Sequence, residues 1–196
     1  MIGVIAAATL GYLFGSIPFG LVITKSAGLG DIRDIGSGNI GATNVLRTGR
    51  KDLAIATLLL DAGKGAIAVG VAHFFGWAPE VAGAAAFIGH CFPVWLGFKG
   101  GKGVATFLGT LLAIWFWAGL AACAVWLGIA AATRYSSLSA LVAAAAAPLI
   151  MFAMGRPAGA AAALAMAIVI FFRHRANIDR LLSGVEPKIG AKKKPA

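Results

Sequence analysis

The sequence predicts an all-α integral membrane protein with seven transmembrane helices, the N-terminus outside and the C-terminus cytoplasmic. Three observations predict this fold class. Hydrophobic residues make up 60% of the chain and the mean hydropathy is +0.88, whereas ordinary soluble domains are about 45–50% apolar. Charged residues amount to only 12%, so long apolar runs remain. The Lys and Arg residues, 17 against 7 Asp and Glu, lie between those runs, as cytoplasmic membrane loops require.

The apolar runs define the predicted spans. A run that crosses a bilayer has about 20 residues, although shorter or tilted runs also occur. The first run continues into charged sequence without a basic segment before it, which favours a retained helix over a cleaved signal peptide. The stretch Val104–Ala132 has 29 uncharged residues and is either one long tilted helix or a pair of short ones. With the pair, the spans are Gly3–Ile23, Leu53–Phe75, Val81–Phe98, Val104–Ala118, Gly119–Ala132, Leu138–Met154 and Ala158–Phe172.

The basic residues favour the pair of short helices. With seven spans, the inner segments are Thr24–Asp52, Lys99–Gly103, Thr133–Ser137 and the tail that starts at Arg173, and they hold 15 of the 17 basic residues. Six spans would place either the tail or two basic loops outside, against the positive-inside tendency. We therefore expect a hairpin near Trp117–Gly119.

The chain is predicted to form one domain. Residues 1–186 make up the seven-helix membrane domain, and residues 187–196 form a basic tail that is expected to be disordered. Ala and Gly are abundant within the spans, which allows helices to approach closely in lipid. The two cysteines, Cys91 and Cys123, lack the spacing of a metal or redox motif and are interpreted as free thiols.

The first polar segment, Gly36–Asn44 followed by Arg47, combines glycines with hydroxyl, amide and guanidinium donors. Such a mixture can surround phosphate oxygens with N–H groups and a bidentate cation. The segment also matches the dinucleotide pattern GxGxxG, with Asp61 at a fitting distance. No strand precedes the pattern and Asp61 lies inside an apolar span, so a nucleotide-binding fold is not expected. The alternative interpretation is a flexible loop whose glycines make turns.

The second polar segment runs from Gly89–Pro93 into Lys99–Thr106. Its glycines expose backbone donors, its lysines supply charge, and a helix that follows presents its N-terminal dipole to an anion. It is not a Walker loop, because Leu96 replaces the first glycine and Gly103 replaces the Ser or Thr. The alternative is a short turn with positive-inside lysines, and His90 is expected to pack or to cap a helix.

The third polar segment, Arg173–Leu181, begins where the last span ends. On one helix His174, Asn177 and Leu181 share a face, so an imidazole and an amide are expected to point together toward the membrane surface. The alternative is a snorkelling basic helix end. The segment also contains HxxxxD, but His174 and Asp179 would lie about 140° apart around a helix, so no catalytic pair is expected.

Two smaller features lie outside these segments. Asp61 and Lys64, at positions i and i+3 inside an apolar span, are expected to pair, because lone charges are costly in the membrane. The pair is interpreted as structural. Ser137, on the predicted inner face, either caps the following helix or donates a hydrogen bond to a ligand.

Taken together, the three polar segments resemble the motif regions of the bacterial acyl-phosphate:glycerol-3-phosphate acyltransferase family. The resemblance runs from the first span to Glu186, and Gly65 and Tyr135–Leu138 match as well. It implies a seven-helix enzyme of the bacterial inner membrane that transfers a fatty acyl group from acyl phosphate to glycerol 3-phosphate. The products would be lysophosphatidic acid and inorganic phosphate, with neither acyl-CoA nor acyl carrier protein as donor.

The resemblance also implies the partners and the site. Glycerol 3-phosphate, acyl phosphate and membrane lipid are the expected partners, with transient contact to a soluble acyl-phosphate-producing enzyme, and no nucleic acid, metal or cofactor is expected. Whether His174 or a substrate phosphate takes the proton stays open. An anion transporter and a non-catalytic membrane scaffold are the rival functions. The expected catalytic residues are Lys102, His174 and Asn177, the phosphate-binding residues are Ser37, Arg47, Gly100, Gly101, Gly103 and Ser137, and further candidates are Asn39, Asn44 and Glu186.

Overall fold

The computed structural model describes residues 1–190, which form a bundle of α-helices. Residues 191–196 of the predicted tail lie outside the described residues. Single turns of 3-10 helix lie in three of the loops, at Ile32–Asp34, Leu46–Thr48 and Val94–Leu96. The α-helices are α1 (Ile2–Gly15), α2 (Phe19–Ser26), α3 (Ala42–Val45), α4 (Lys51–Phe74), α5 (Pro79–Cys91), α6 (Val104–Ile114), α7 (Phe116–Thr133), α8 (Ser136–Ala153), α9 (Pro157–Arg173) and α10 (Arg175–Leu182).

The lengths of these helices bear on how many of them cross the membrane. Within residues 1–190, four helical units are long and apolar enough to do so: α1 with α2, then α4, α7 and α8. The α9 helix joins them when it is taken together with α10, although a 62° bend separates the two. The α5 and α6 helices have 13 and 11 residues, fewer than the about 20 of an average span. The predicted all-α fold is confirmed, whereas the count of seven spans and the orientation of the termini stay predictions.

One predicted boundary is wrong at the end of the third span. That span was expected to reach Phe98, but α5 ends at Cys91. Pro93 follows closely and cannot donate the backbone hydrogen bond that would continue the helix. Beyond it, Gly97 and Phe98 both have positive φ, at 57° and 63°. An apolar segment therefore forms a loop that leads to Lys102.

The helices α6 and α7 form a hairpin close to the predicted position near Trp117–Gly119. The chain turns at Trp115, whose extended backbone (φ −153°, ψ 104°) separates α6 from α7. Gly119 lies within α7 and has a different role, because a Cβ there would overlap the backbone of Leu112 on α6. The glycine permits the two helices to pack closely.

Small residues allow the same close packing elsewhere in the bundle, as predicted from their abundance. Gly11 and Gly15 of α1 face the backbone of α5, and a Cβ on either would overlap the carbonyl oxygen of Ala82 or Ala86. Gly109 of α6 has the same relation to α4. In lipid such contacts replace the hydrophobic effect as the source of helix association.

The connections that contain the polar segments meet at one end of the bundle. The loop between α5 and α6 contacts α10, and the start of α8 contacts the segment after α10. That segment also returns to the turn between α7 and α8. There Ile189 N–H donates to the Arg134 carbonyl oxygen (2.7 Å), and Arg134 Nη2 donates to the Ile189 carbonyl oxygen (2.9 Å).

Candidate active site

The carboxylate of Glu186 joins three parts of the chain at this end of the bundle. Its Oε1 accepts hydrogen bonds from Ser137 Oγ and from Asn177 Nδ2, both at 2.6 Å. Its Oε2 accepts one from Arg180 Nε at 2.7 Å. Burial opposes ionisation, but these hydrogen bonds outweigh it and lower the pKa of Glu186 below its ordinary value. The charged carboxylate thus holds the C-terminal segment against α8 and α10.

Lys102 extends this network. Its ammonium, from the loop between α5 and α6, donates a hydrogen bond to Asn177 Oδ1. The amide of Asn177 therefore links a cation on one side to the carboxylate of Glu186 on the other, and both of its polar atoms are engaged. Asn177 is buried, so this bridge is shielded from solvent.

Several charges influence Lys102. Burial lowers the pKa of Lys102 to about 8, the negative charge of Glu186 opposes this shift, and the guanidinium groups of Arg180, Arg47 and Arg173 add to it. Arg47 thus lets the first glycine-rich loop contribute positive charge to the surroundings of Lys102. The site brings together four cations and one carboxylate, so it has positive charge available for an anionic ligand.

His174 lies just beyond the end of α9 and is buried. Its Nδ1 lies 2.8 Å from the Ile170 carbonyl oxygen, which can only accept, so Nδ1 carries the proton and Nε2 is left as an acceptor. Burial lowers the pKa of His174 to about 4, and the charge of Lys102 contributes to the shift. His174 is therefore neutral near pH 7. Asp179 is exposed, whereas the imidazole of His174 is buried.

The first glycine-rich loop is organised by Asn44, which is buried. Its Nδ2 donates to the carbonyl oxygens of Ile32 and Ile35, both at 2.9 Å. Its Oδ1 accepts from the backbone N–H of Ser37 at 3.0 Å and from Arg47 Nη1 at 3.3 Å. Both polar atoms of Asn44 are thus occupied in holding the loop. The hydroxyl of Ser37 also donates to Asn44 Oδ1, at 3.4 Å. The side chains of Ser37 and Arg47 are nevertheless exposed, so the remaining donors of Arg47 and the lone pairs of the Ser37 hydroxyl face solvent, where a ligand can reach them.

The glycine loop before α6, residues 99–103, is held from two sides. The N–H groups of Gly100 and Gly101 donate to the carbonyl oxygens of Cys91 (3.2 Å) and His90 (3.0 Å). Arg173 donates from Nη2 to the Gly100 carbonyl oxygen (2.6 Å) and from Nε to that of Gly101 (3.0 Å). The N–H groups of Gly100 and Gly101 are therefore already bonded.

The free backbone donors lie one step further along this loop. The N–H groups of Lys102 and Gly103 have no protein acceptor within residues 1–190. Gly103 precedes α6 with a φ of 82°, a conformation that glycine adopts at no steric cost. Among the backbone donors predicted for a phosphate, those of Lys102 and Gly103 remain available beside the helix N-terminus.

The structure brings most of the predicted residues together. Lys102, Asn177, Ser137 and Glu186 form one connected network, and His174 lies within its electrostatic range. Ser37 and Arg47 belong to the adjoining loop, whereas Asn39 makes a local contact, accepting from the Gly41 N–H at 2.9 Å. Sequence reasoning missed Arg173 and Arg180, because a basic residue at the end of a span is also expected to snorkel toward water.

The chain is similar to known proteins over most of its length. A family model described as glycerol-3-phosphate acyltransferase matches residues 5–184. The glycerol-3-phosphate acyltransferase of Maricaulis maris is 65% identical over 191 residues, which cover 96% of this chain and 88% of the relative. That of Rhodospirillum rubrum is 60% identical over 206 residues, which cover 100% of this chain and 94% of the relative.

Two solved structures are similar over almost the whole chain. The crystal structure of PlsY (YgiH), an integral membrane glycerol 3-phosphate acyltransferase, in its glycerol 3-phosphate form is 42% identical with a TM-score of 0.90. The match covers 95% of this chain and 96% of that one. The lysophosphatidic acid form is 41% identical with a TM-score of 0.88, and the match covers 95% of each chain.

Proposed function

Because the chain belongs to the glycerol-3-phosphate acyltransferase family and is an integral membrane acyltransferase, we propose that it acylates glycerol 3-phosphate with acyl phosphate as the donor. The products are lysophosphatidic acid and inorganic phosphate, in the first step of phospholipid biosynthesis. The two similar crystal structures are the glycerol 3-phosphate and lysophosphatidic acid forms of a relative, which supports the same acceptor and product here.

The observation that carries this proposal is the cluster of cations around Lys102. Both substrates and the released phosphate are phosphate-bearing anions, and the cluster supplies more positive than negative charge. Lys102 and Arg47 neutralise phosphate charge, while Ser37 and the free N–H groups of Lys102 and Gly103 donate hydrogen bonds. Acyl phosphate is already activated, so positioning and electrostatic stabilisation supply most of the rate.

The reaction is a single acyl transfer. The hydroxyl oxygen of glycerol 3-phosphate attacks the acyl carbon, the bond from that carbon to the phosphate oxygen breaks, and the hydroxyl proton ends on the departing phosphate. His174 is neutral and presents Nε2 as an acceptor, so it orients the attacking hydroxyl. With a pKa of about 4 it is a weak base, which favours the phosphate as the final proton acceptor. Through their hydrogen bonds, Asn177 holds the ammonium of Lys102 in place and Ser137 holds the carboxylate of Glu186 in place.

We further propose seven spans in the bacterial inner membrane, with the N-terminus outside and the C-terminus in the cytoplasm. With this number and orientation of spans, the three polar segments lie on the cytoplasmic side, where a soluble enzyme can deliver acyl phosphate. Single cysteines in a cysteine-free background test the orientation by labelling in intact cells. Pro157→Cys should react with an impermeant reagent from outside, and Arg50→Cys and Tyr135→Cys should not. Labelling at residue 135 from outside would contradict the hairpin at Trp115.

The reaction itself is tested with purified protein in lipid, palmitoyl phosphate and radiolabelled glycerol 3-phosphate. We expect labelled lysophosphatidic acid and an equal amount of inorganic phosphate. Palmitoyl-CoA and palmitoyl acyl carrier protein, offered as alternative donors, should give no product. Formation of product from either thioester and not from palmitoyl phosphate would overturn the proposed donor. Uptake of glycerol 3-phosphate into vesicles without acylation would indicate a transporter instead.

A further inference from the structure

Three polar side chains form a cluster inside the bundle, away from the network of Glu186. They are Asp61 and Lys64 of α4 and His90 of α5, and each is at most 4% exposed. Lys64 Nζ lies 2.9 Å from Asp61 Oδ1, which confirms the predicted pair. This contact has the distance of an ion pair without the angles of a hydrogen bond. Ionisable groups at such depth are costly, and they usually serve a function.

The remaining contacts of Lys64 determine the tautomer of His90. Lys64 Nζ lies 2.9 Å from the Ile17 carbonyl oxygen and 2.9 Å from His90 Nδ1. Asp61 Oδ1 also lies 3.4 Å from His90 Nδ1, but this contact lacks the geometry of a hydrogen bond. An ammonium can only donate, so Nδ1 accepts from Lys64 and the imidazole proton resides on Nε2. The ammonium thus has three polar neighbours, namely Asp61, the Ile17 carbonyl oxygen and His90 Nδ1. The hydrogen bond to Lys64 thus holds the imidazole of His90 at Nδ1.

The Nε2 side of His90 faces the glycine loop. A Cβ on Gly101 would overlap His90 Nε2, so the imidazole fills the space beside this residue. The backbone of His90 makes a second contact, because its carbonyl oxygen accepts from the Gly101 N–H at 3.0 Å. The backbone immediately before Lys102 is therefore supported by the ring and the carbonyl of one buried histidine.

Arg173 holds the same loop from the opposite side through the carbonyl oxygens of Gly100 and Gly101. Between them, His90 and Arg173 restrict the peptides that precede Lys102. Lys102 must reach Asn177 and a phosphate together, and a displacement of about 1 Å at such a group can cost on the order of 100-fold in rate. A shift of the loop would therefore act on turnover directly.

We infer that His90 is a positioning residue for Lys102: Lys64 and Asp61 fix its imidazole inside the membrane, and the imidazole fixes the Gly100–Gly101 backbone. The inference rests on the proposed function, because Lys102 must act on a substrate phosphate for its position to affect turnover. It assigns to the Asp61–Lys64 pair a second task beyond stability, which is to orient the histidine that supports the site.

Two substitutions of His90 separate its two sides. In His90→Asn the amide oxygen lies near the former Nδ1 and still accepts from Lys64, but nothing replaces Nε2 beside Gly101. In His90→Gln the amide lies near the former Nε2 and fills that space, but Lys64 loses an acceptor. The matched control is His73→Asn, the same change at an exposed histidine of α4.

The experiment measures the folded yield, kcat per folded molecule and amide hydrogen exchange of a peptide containing residues 99–103, in the full-length protein in lipid. For His90→Asn we expect near wild-type yield, a kcat lowered by about 10- to 100-fold and faster exchange in the loop with unchanged exchange in α8. For His90→Gln we expect a lower yield but a kcat closer to wild type. His73→Asn should leave all three quantities unchanged.

Other outcomes would overturn the inference. A His90→Asn protein with wild-type kcat and wild-type loop exchange would show that the ring does not position the loop. A loss confined to the yield in both variants would make His90 purely structural. Hydrogen exchange is measured without substrate, so it tests the positioning role even if wild-type protein failed to use palmitoyl phosphate, which would overturn the proposed function alone.

Discussion

Replacing Glu186 by Gln tests whether this carboxylate keeps Lys102 charged. Burial lowers the pKa of Lys102 to about 8, and the charge of Glu186 opposes that shift. In the proposed reaction the protonated form of Lys102 binds phosphate, so kcat/KM should fall as pH rises through about 8. Glutamine keeps the size of the side chain and an acceptor oxygen, but it removes the negative charge. The pH at which kcat/KM falls on the alkaline side of its pH profile should therefore be lower in the variant than in the wild type.

The size of the effect follows from the charged fraction of Lys102. Loss of a nearby opposite charge moves a pKa by about one pH unit or more. At pH 8 the charged fraction then falls from about 50% to about 10%, whereas at pH 6 it stays above about 90% in both proteins. Beyond any loss that is independent of pH, the defect in kcat/KM should grow about fivefold between pH 6 and pH 8.

The assay is lysophosphatidic acid formation at subsaturating glycerol 3-phosphate across this pH range, because kcat/KM reports groups of the free enzyme. The substrate phosphate also titrates, with a second pKa of about 6, but it does so equally for both proteins and cancels in their ratio. The control is Glu80→Gln, a change of the chain's other glutamate. A fall in kcat/KM that stays at the same pH or moves to higher pH in the Glu186 variant would refute the proposed coupling.

Three further predictions concern other parts of the structure. Lys102→Ala should lower turnover at least about 100-fold, the scale seen when one preorganised donor is removed, whereas Lys99→Ala, at an exposed position, should lower it less than about threefold. Equal effects of the two substitutions in the same acyl transfer assay would place the phosphate elsewhere. Asn177→Ala removes the bridge between Lys102 and Glu186 and should lower kcat per folded molecule by about 10- to 100-fold. The exposed Asp179 should tolerate Ala, and a loss of kcat in Asp179→Ala as large as that in Asn177→Ala would indicate that HxxxxD is catalytic after all. Asp61→Asn leaves a buried ammonium uncompensated, at a cost on the order of 3–5 kcal/mol. Thermal unfolding in detergent should therefore show a larger loss of stability than of turnover per folded molecule. A stable but inactive variant would assign Asp61 to the site itself.

The helices could be predicted from sequence because each apolar run has a nearly continuous hydrophobic signal. The end of α5 could not, since Trp95, Leu96 and Phe98 are as apolar as a span and yet lie in a loop. Pro93 was the available signal for that loop. The exact turn at Trp115 could not be predicted for a related reason, because the distribution of basic residues indicated a hairpin near Trp117–Gly119 without fixing its turn residue. Gly119 lies at a helix contact, and hydropathy does not distinguish this use of glycine from a turn.

The site was predictable in composition but not in connectivity. Lys102, Asn177 and Ser137 stood out as polar residues at the ends of apolar runs. Their partners depend on how the helices approach one another: Ser137 is 49 residues from Glu186, and Lys102 is 75 residues from Asn177. The carboxylate that connects them was therefore only a further candidate. Arg173 was missed for the same reason, because its partners are backbone carbonyls far away in the chain.

In the proposed reaction, the single carboxylate of the network accounts for both the binding and the release of phosphate at a cation-rich site. Four cations close together would repel one another and drive Lys102 toward its neutral form, and the charge of Glu186 counteracts this. When a phosphate enters, it supplies further negative charge, so the carboxylate limits how tightly the cations hold the ground state. Tight binding of substrate and transition state alike would not raise kcat, and both products of the proposed reaction are anions that must leave. A carboxylate fixed by Ser137, Asn177 and Arg180 is thus compatible with turnover because it moderates the field that the lysine and arginines create.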